Sequence, residues 1–192
     1  LAIVVAVEGL PGCGKTTIIE LAVKELIIKG LRVGVVDIET VGDASVLRSI
    51  ARKYPLGHKS RIILFWLLRL QQYDFIQEMK HNRDIIFADR FWGSTIAFDI
   101  YGNGVPLEVL SWVGENIQEY PDMTLFFSAP LQAVRERKKA KTMQKDEFAL
   151  RVEQGYNELA REKNWTVIDA TQKPDKVLEQ CLKEIFLKLK NS

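Results

Sequence analysis

The sequence predicts an α/β fold, one domain in which helices flank a five-stranded parallel sheet. Two observations carry this. Short runs rich in valine and isoleucine alternate with longer segments whose apolar residues recur at helical spacing. All five strand candidates also read as buried on both faces, as strands of a helix-covered parallel sheet must be. A length of 192 residues, 47% of them hydrophobic, suits one buried core and is short for two domains.

In chain order, Ala2 to Val7 is the first strand and Lys15 to Lys29 the first helix, with Gly30 placed to end it. Arg32 to Asp37 is the second strand, followed by helices over Ala44 to Lys53 and Ile62 to Lys80. Asp84 to Ala88 is the third strand, with helices over Gly93 to Asp99 and Leu107 to Gln118 behind it. The fourth, Met123 to Phe127, leads into a helix over Leu131 to Lys139, which Pro130 begins because its missing N–H costs nothing there. A helix over Lys145 to Lys163, a strand over Thr166 to Ile168 and a helix over Lys176 to Lys190 complete the chain. The turn-rich stretches at Val41 to Asp43, Tyr54 to Ser60 and Tyr101 to Pro106 are too short to be linkers, so the whole of 1–192 is expected to be one domain.

The formal charge of +2 argues against nucleic acid as a partner, since such proteins concentrate a larger basic excess on one face. Small anionic ligands fit better. Cys13 and Cys181 are too few for a disulfide framework or a thiolate metal site, which suits a reducing cytoplasm. The apolar runs Leu1 to Val7 and Ile62 to Leu68 fall far short of the roughly 20 residues a membrane helix needs, so no membrane association is expected. No secretion or lipidation signal is read, and an initiating methionine is expected ahead of Leu1.

Gly9-Leu10-Pro11-Gly12-Cys13-Gly14-Lys15-Thr16 satisfies the Walker A pattern between an apolar strand and an amphipathic helix, the context that gives it meaning. Glycines let successive backbone N–H groups turn inward on a polyphosphate, and the helix N-terminus adds a favourable dipole. Lys15 is expected to reach the β- and γ-phosphates, and the Thr16 hydroxyl to ligate Mg2+. Cys13 is explained as a small side chain filling a crowded loop.

A triphosphate cradle does not say where the phosphoryl group goes. Asp89-Arg90-Phe91 closes the third strand, and Ser94, Ala97 and Phe98 follow on the next helix. Ligands of open parallel sheets collect at the carboxyl ends of strands. Asp89 is therefore a candidate for holding magnesium or its waters, and Arg90, with its planar fork, for bridging donor and acceptor phosphates. The basic cluster Arg135, Arg137, Lys138, Lys139 and Lys141 reads, taken alone, as a solvated helix face.

Glu8 to Thr17 and Asp89 to Phe98 resemble the two signature stretches of thymidylate kinases, Glu-Gly-x-x-Gly-x-Gly-Lys-Thr-Thr and Asp-Arg-Tyr/Phe-x-x-Ser-x-x-Ala-Tyr/Phe. The likeness continues in order through Leu64-Phe65, Arg69, Pro121 to Leu125, Arg151, Gly155-Tyr156 and Val167 to Ala170. It implies a three-layer P-loop kinase with a short lid at about 135–147, using ATP and Mg2+ and acting on a nucleoside monophosphate, dTMP giving dTDP. It further implies that Gly9, Gly12, Cys13, Gly14, Lys15, Thr16 and Thr17 hold the nucleotide, and that Lys15, Asp89, Arg90 and Arg135 act on the phosphoryl group. Phe65 would stack on the acceptor base and Arg69 would bond its edge, with Arg90, Ser94 and Phe98 completing that pocket. Which of Arg135, Lys139 or Lys141 reaches the phosphates is left open. A homodimer packed through helices beside the acceptor site is also implied, with the Ile62 to Leu68 helix a candidate face.

Three places depart from the family pattern, all on the acceptor side. Pro11 replaces an Asp of the phosphate loop, Asp37 to Asp43 lacks the arginine of the usual Arg-Glu-Pro-Gly-Gly run, and Asp99 stands where a glutamine is common. Arg48 or Arg90 would have to offset the acidic loop. A different nucleotide, a deoxynucleoside, and a regulatory P-loop ATPase are therefore the alternatives.

Overall fold

β1 (Ile3–Gly9) is the middle strand of a five-stranded, wholly parallel sheet, and every residue in it is buried. The computed structural model of the chain describes residues 2–38, 58–106, 121–137 and 146–191, with 41, 46, 49, 53 and 108. The elements after β1 are α1 (Lys15–Ile28), β2 (Val33–Asp37), α2 (His58–Met79), β3 (Ile85–Asp89), α3 (Trp92–Thr95), a π-helical segment (Ile96–Gly102), β4 (Met123–Ser128), α4 (Leu131–Arg137), α5 (Asp146–Glu162), β5 (Thr166–Asp169) and α6 (Pro174–Lys190). The strands lie in the order β2-β3-β1-β4-β5.

Side chains alternate across a strand, and β1 shows what that produces. Ile3, Val5 and Val7 pack with Ile18, Ala22 and Leu26 of α1 and with Val177, Cys181 and Ile185 of α6. Ala2, Val4 and Ala6 face the other way, onto Ile62, Trp66 and Ile76 of α2. Glu8 pairs in register with Phe126, on which Tyr156 of α5 stacks with centroids 5.9 Å apart, so α5 covers the same face as α2. This is the predicted three-layer arrangement. Where β4 starts too late to pair with Val4, the Asp122 carboxylate accepts the Val4 N–H at 2.7 Å, closing the ladder.

Burial on both faces holds for the inner strands but not the outer two. Val35 of β2 and Val167 of β5 are 43% and 52% exposed, because strands at the margins of the sheet are covered on one side only. Gly30 ends α1 as expected: at φ 83° its N–H bonds Ile27 O while Leu31 N–H bonds Leu26 O, a Schellman pair. The last helix begins at Pro174, two residues before its expected start. The helix expected over Gly93 to Asp99 starts at Trp92 and continues to Gly102 in π form. Its end lies hard against α5: a Cβ on Gly102 would come 2.6 Å from Phe148, and one on Gly155 would come 2.6 Å from Tyr101. The expected helices over 44–53 and 107–118 fall, but for single positions, outside the described residues. So do Arg48, most of the 37–43 loop, and Lys138, Lys139 and Lys141 of the expected lid.

Candidate active site

The carboxyl ends of β1 and β3 lie side by side, Val7 paired with Asp89, and this register brings the glycine loop to the Asp89-Arg90 pair. Gly9 (φ 141°) turns the chain beneath Phe127, where a Cβ would sit 2.7 Å from that carbonyl. Gly14, left-handed at φ 96°, opens α1, and its carbonyl accepts the Ile18 N–H. Gly12 lies in the turn between them, and Cys13 is buried with its Sγ 3.2 Å from the place of a Gly9 Cβ. The thiol therefore packs the loop, and its Sγ also accepts from Lys15 Nζ at 3.5 Å.

Lys15 is 5% exposed and folds back on the loop, its Nζ donating to Gly9 O at 3.0 Å and Leu10 O at 2.9 Å. Burial, then repulsion from Arg90, lowers its pKa from 10.5 to about 8. Thr16 and Thr17 follow on the exposed first turn of α1, and the Thr16 hydroxyl donates to Asp89 Oδ2 at 2.8 Å. The two residues expected at magnesium thus form one pair of hard oxygen donors beside the loop. Among the described residues no group of three His, Cys, Asp or Glu could hold a metal without further ligands. Two protein oxygens completed by phosphate and water suit Mg2+, which keeps much of its hydration.

Arg90 is the junction of the site. Its backbone sits at φ 64°, a left-handed conformation costing a non-glycine residue about 1–2 kcal/mol. Bonds on both sides enforce it: Arg90 N–H reaches Val7 O, and Arg90 O accepts from Arg69 Nη1 at 2.7 Å and Gln72 Nε2 at 2.9 Å. Its guanidinium touches Gly9 O, Ser94 Oγ and Tyr156 OH at 3.0, 3.2 and 3.0 Å, and lies 5.7 Å over the Phe98 ring.

Beneath it runs a buried polar chain. Glu8, 1% exposed, accepts the Phe91 and Ser94 N–H groups on Oε1 and the Ser94 hydroxyl on Oε2 at 2.6 Å. Since the Ser94 proton goes to Glu8, the Tyr156 hydroxyl, 2.8 Å away, donates to Ser94. Burial pushes the Tyr156 phenol well above its ordinary pKa and keeps it neutral. Glu8 also supplies the cap that α3 lacks from its own residues.

Most of the expected residues therefore converge: Lys15, Thr16, Asp89, Arg90, Arg69, Ser94 and Phe98 belong to one connected group. Phe65 is half-buried on α2, packed with Ile38 and Leu68. Arg69 is 4% exposed, its Nη1 engaged by Gln72 Oε1 at 2.8 Å as well as by Arg90 O. Arg135 is half-buried in the last turn of α4. Arg137 is anchored away from it, donating to Ala170 O and Thr171 O behind β5. Gln72 and the roles of Glu8 and Tyr156 escaped the sequence reading. For Glu8 the signal was there, a lone carboxylate in an apolar strand directly before the glycines.

The family model described as thymidylate kinase matches residues 7–181. A thymidylate kinase of Kosmotoga olearia is 30% identical over 202 residues, covering 97% of this chain and 96% of that protein. One from Prochlorococcus marinus subsp. pastoris is 29% identical, covering 96% and 94%. One from Acinetobacter baumannii strain AYE is 27% identical over 195 residues, covering 93% and 97%.

Proposed function

The chain belongs to the thymidylate kinase family, and we propose that it transfers the γ-phosphoryl group of ATP to dTMP, giving dTDP and ADP. It is a nucleoside monophosphate kinase. The observation that carries the reading is Arg90, whose guanidinium touches the phosphate loop at Gly9 O on one side and Ser94 and the Phe98 ring on the other. It stands between the donor cradle and the acceptor wall.

Such a reaction needs alignment and charge neutralisation more than proton transfer, because the acceptor phosphate is already a nucleophile. Loop N–H groups from Gly9 to Thr16, Pro11 excepted because it has none, take the polyphosphate, with Thr17 behind them. Lys15 exchanges the Gly9 and Leu10 carbonyls for phosphate oxygens, a gain because a charged amine then meets full negative charge. Thr16 and Asp89 hold Mg2+, which when bound neutralises phosphate charge. Arg90 bridges the two substrates, and Arg135, in the last turn of α4, acts on the transferring group. Phe65 and Phe98 hold the base between aromatic faces, and Arg69 lies at its edge.

No helix among the described residues is long and apolar enough to cross a membrane. Because Cys13 and Cys181 are both free thiols, we read the enzyme as one of a reducing cytoplasm, with small-molecule partners. Ile63, Leu67 and Phe75 are 65%, 44% and 39% exposed along α2, and we read them as part of the face that a second copy covers in a homodimer. Light scattering of the purified protein tests this, a monomer at micromolar concentration counting against it.

An ADP-release assay across dTMP, dUMP, UMP, CMP and thymidine tests the acceptor. dTMP is expected to give the highest kcat/KM, and Lys15→Ala to lower turnover by at least about a thousandfold. Preference for thymidine would move the assignment to a nucleoside kinase, and hydrolysis indifferent to every acceptor would move it to a regulatory ATPase.

A further inference from the structure

Asp99 is 7% exposed on the π segment, and its carboxylate is directed at α2: Trp66 Nε1 donates to Oδ2 at 2.9 Å. Asn103 Nδ2 donates to Oδ1 at 3.3 Å, and the Asp99 carbonyl accepts the Val105 N–H. A buried carboxylate is tolerated only when donors meet it, and a bond to an ionised acceptor is stronger than a neutral one. Trp66 is itself 9% exposed, so the bond lies inside the protein and is little weakened by water.

Its place in the chain gives the bond a second meaning. Trp66 directly follows Phe65 and stands one turn before Arg69, the α2 side of the acceptor pocket. Asp99 directly follows Phe98, the opposite side, whose ring underlies Arg90. One hydrogen bond thus ties the two walls together. The wall that Asp99 sits in is π-wound, with Asn103 N–H reaching back to Phe98 O, a winding that is rare and often found at functional sites.

Building on the kinase reading above, we propose that Asp99 is a positioning residue for the acceptor: by holding the Trp66 indole it sets the separation of the Phe65–Arg69 and Phe98 walls. In this chain the carboxylate that replaces the family's usual amide serves the pocket through Trp66. The ATP cradle, on the far side of Arg90, does not depend on it.

The test compares Asp99→Asn, Trp66→Phe and the pair Trp66→Phe with Asp99→Leu. The pair removes the indole N–H and the carboxylate together, so neither is left facing an absent partner, while Asn103, which is exposed, can turn to water. Trp66→Phe and the pair are expected to raise the KM for dTMP about tenfold or more, with the KM for ATP changed less than about twofold. Asp99→Asn keeps an oxygen for the indole and is expected to stay within about threefold of wild type. Parallel rises in both KM values, no change in either, or an Asp99→Asn enzyme as weak as the pair would overturn the proposal. If wild type rejects dTMP and accepts another nucleotide of the panel, the acceptor assignment falls and the same ratios are read on that nucleotide. A wild type that phosphorylates none of them overturns both readings.

Discussion

Lys15 and Arg90 are each held in a form that binding must change or use. Lys15 has a pKa near 8 when it bonds its own loop, against 10.5 for an ordinary lysine. Between those values the unfolded chain binds more protons than the folded one, so this residue's contribution to stability improves as pH rises from about 8 to 10.5, its full cost being felt below 8. In the proposed reaction, phosphates that met Lys15 would restore its charged form. ATP binding at pH 8 is therefore expected to take up about half a proton per site, and affinity to fall at higher pH. Calorimetry in two buffers of different ionisation heat measures this, and wild-type uptake no larger than that of Lys15→Met would contradict it. The grouping of Lys15, Thr16, Asp89 and Arg90 around one loop was legible in the sequence because a Walker A pattern and a strand-end Asp-Arg pair set residue types at fixed spacing. Gln72 and Trp66 were not, since on a helix with apolar neighbours nothing marks a glutamine or an indole as partner to a distant carbonyl or carboxylate.

Elements were legible where a period or a breaker defines them. The five strands, the Gly30 stop and the helices α1, α2 and α5 followed from such signals. The π segment did not: it lies against α5, where Gly102 faces Phe148 and Gly155 faces Tyr101, two close approaches that no local pattern reveals. Gly155→Ala tests that contact. The added Cβ, 2.6 Å from the Tyr101 ring, forces the helices apart, and the expected loss is about 1–3 kcal/mol by denaturant titration with an unchanged slope. An unshifted midpoint would show that the packing yields without cost. The exposure of Val35 and Val167 has the same origin, since strand order is a property of the assembled sheet and not of either strand.

Taken as a whole, the molecule joins its donor and acceptor sides through one stretch of chain. β3 delivers Asp89 to Thr16 and Arg90 to Gly9, while the turn after it rests on Glu8, Arg69 and Gln72. The two halves of the candidate site thus share hydrogen bonds, as direct transfer between two bound substrates would require. The most direct test is to incubate the protein with Mg2+, γ-labelled ATP and dTMP and to identify the labelled product chromatographically. Label is expected in dTDP, with Lys15→Ala leaving it in ATP; label released as inorganic phosphate at a rate unaffected by dTMP would contradict the assignment.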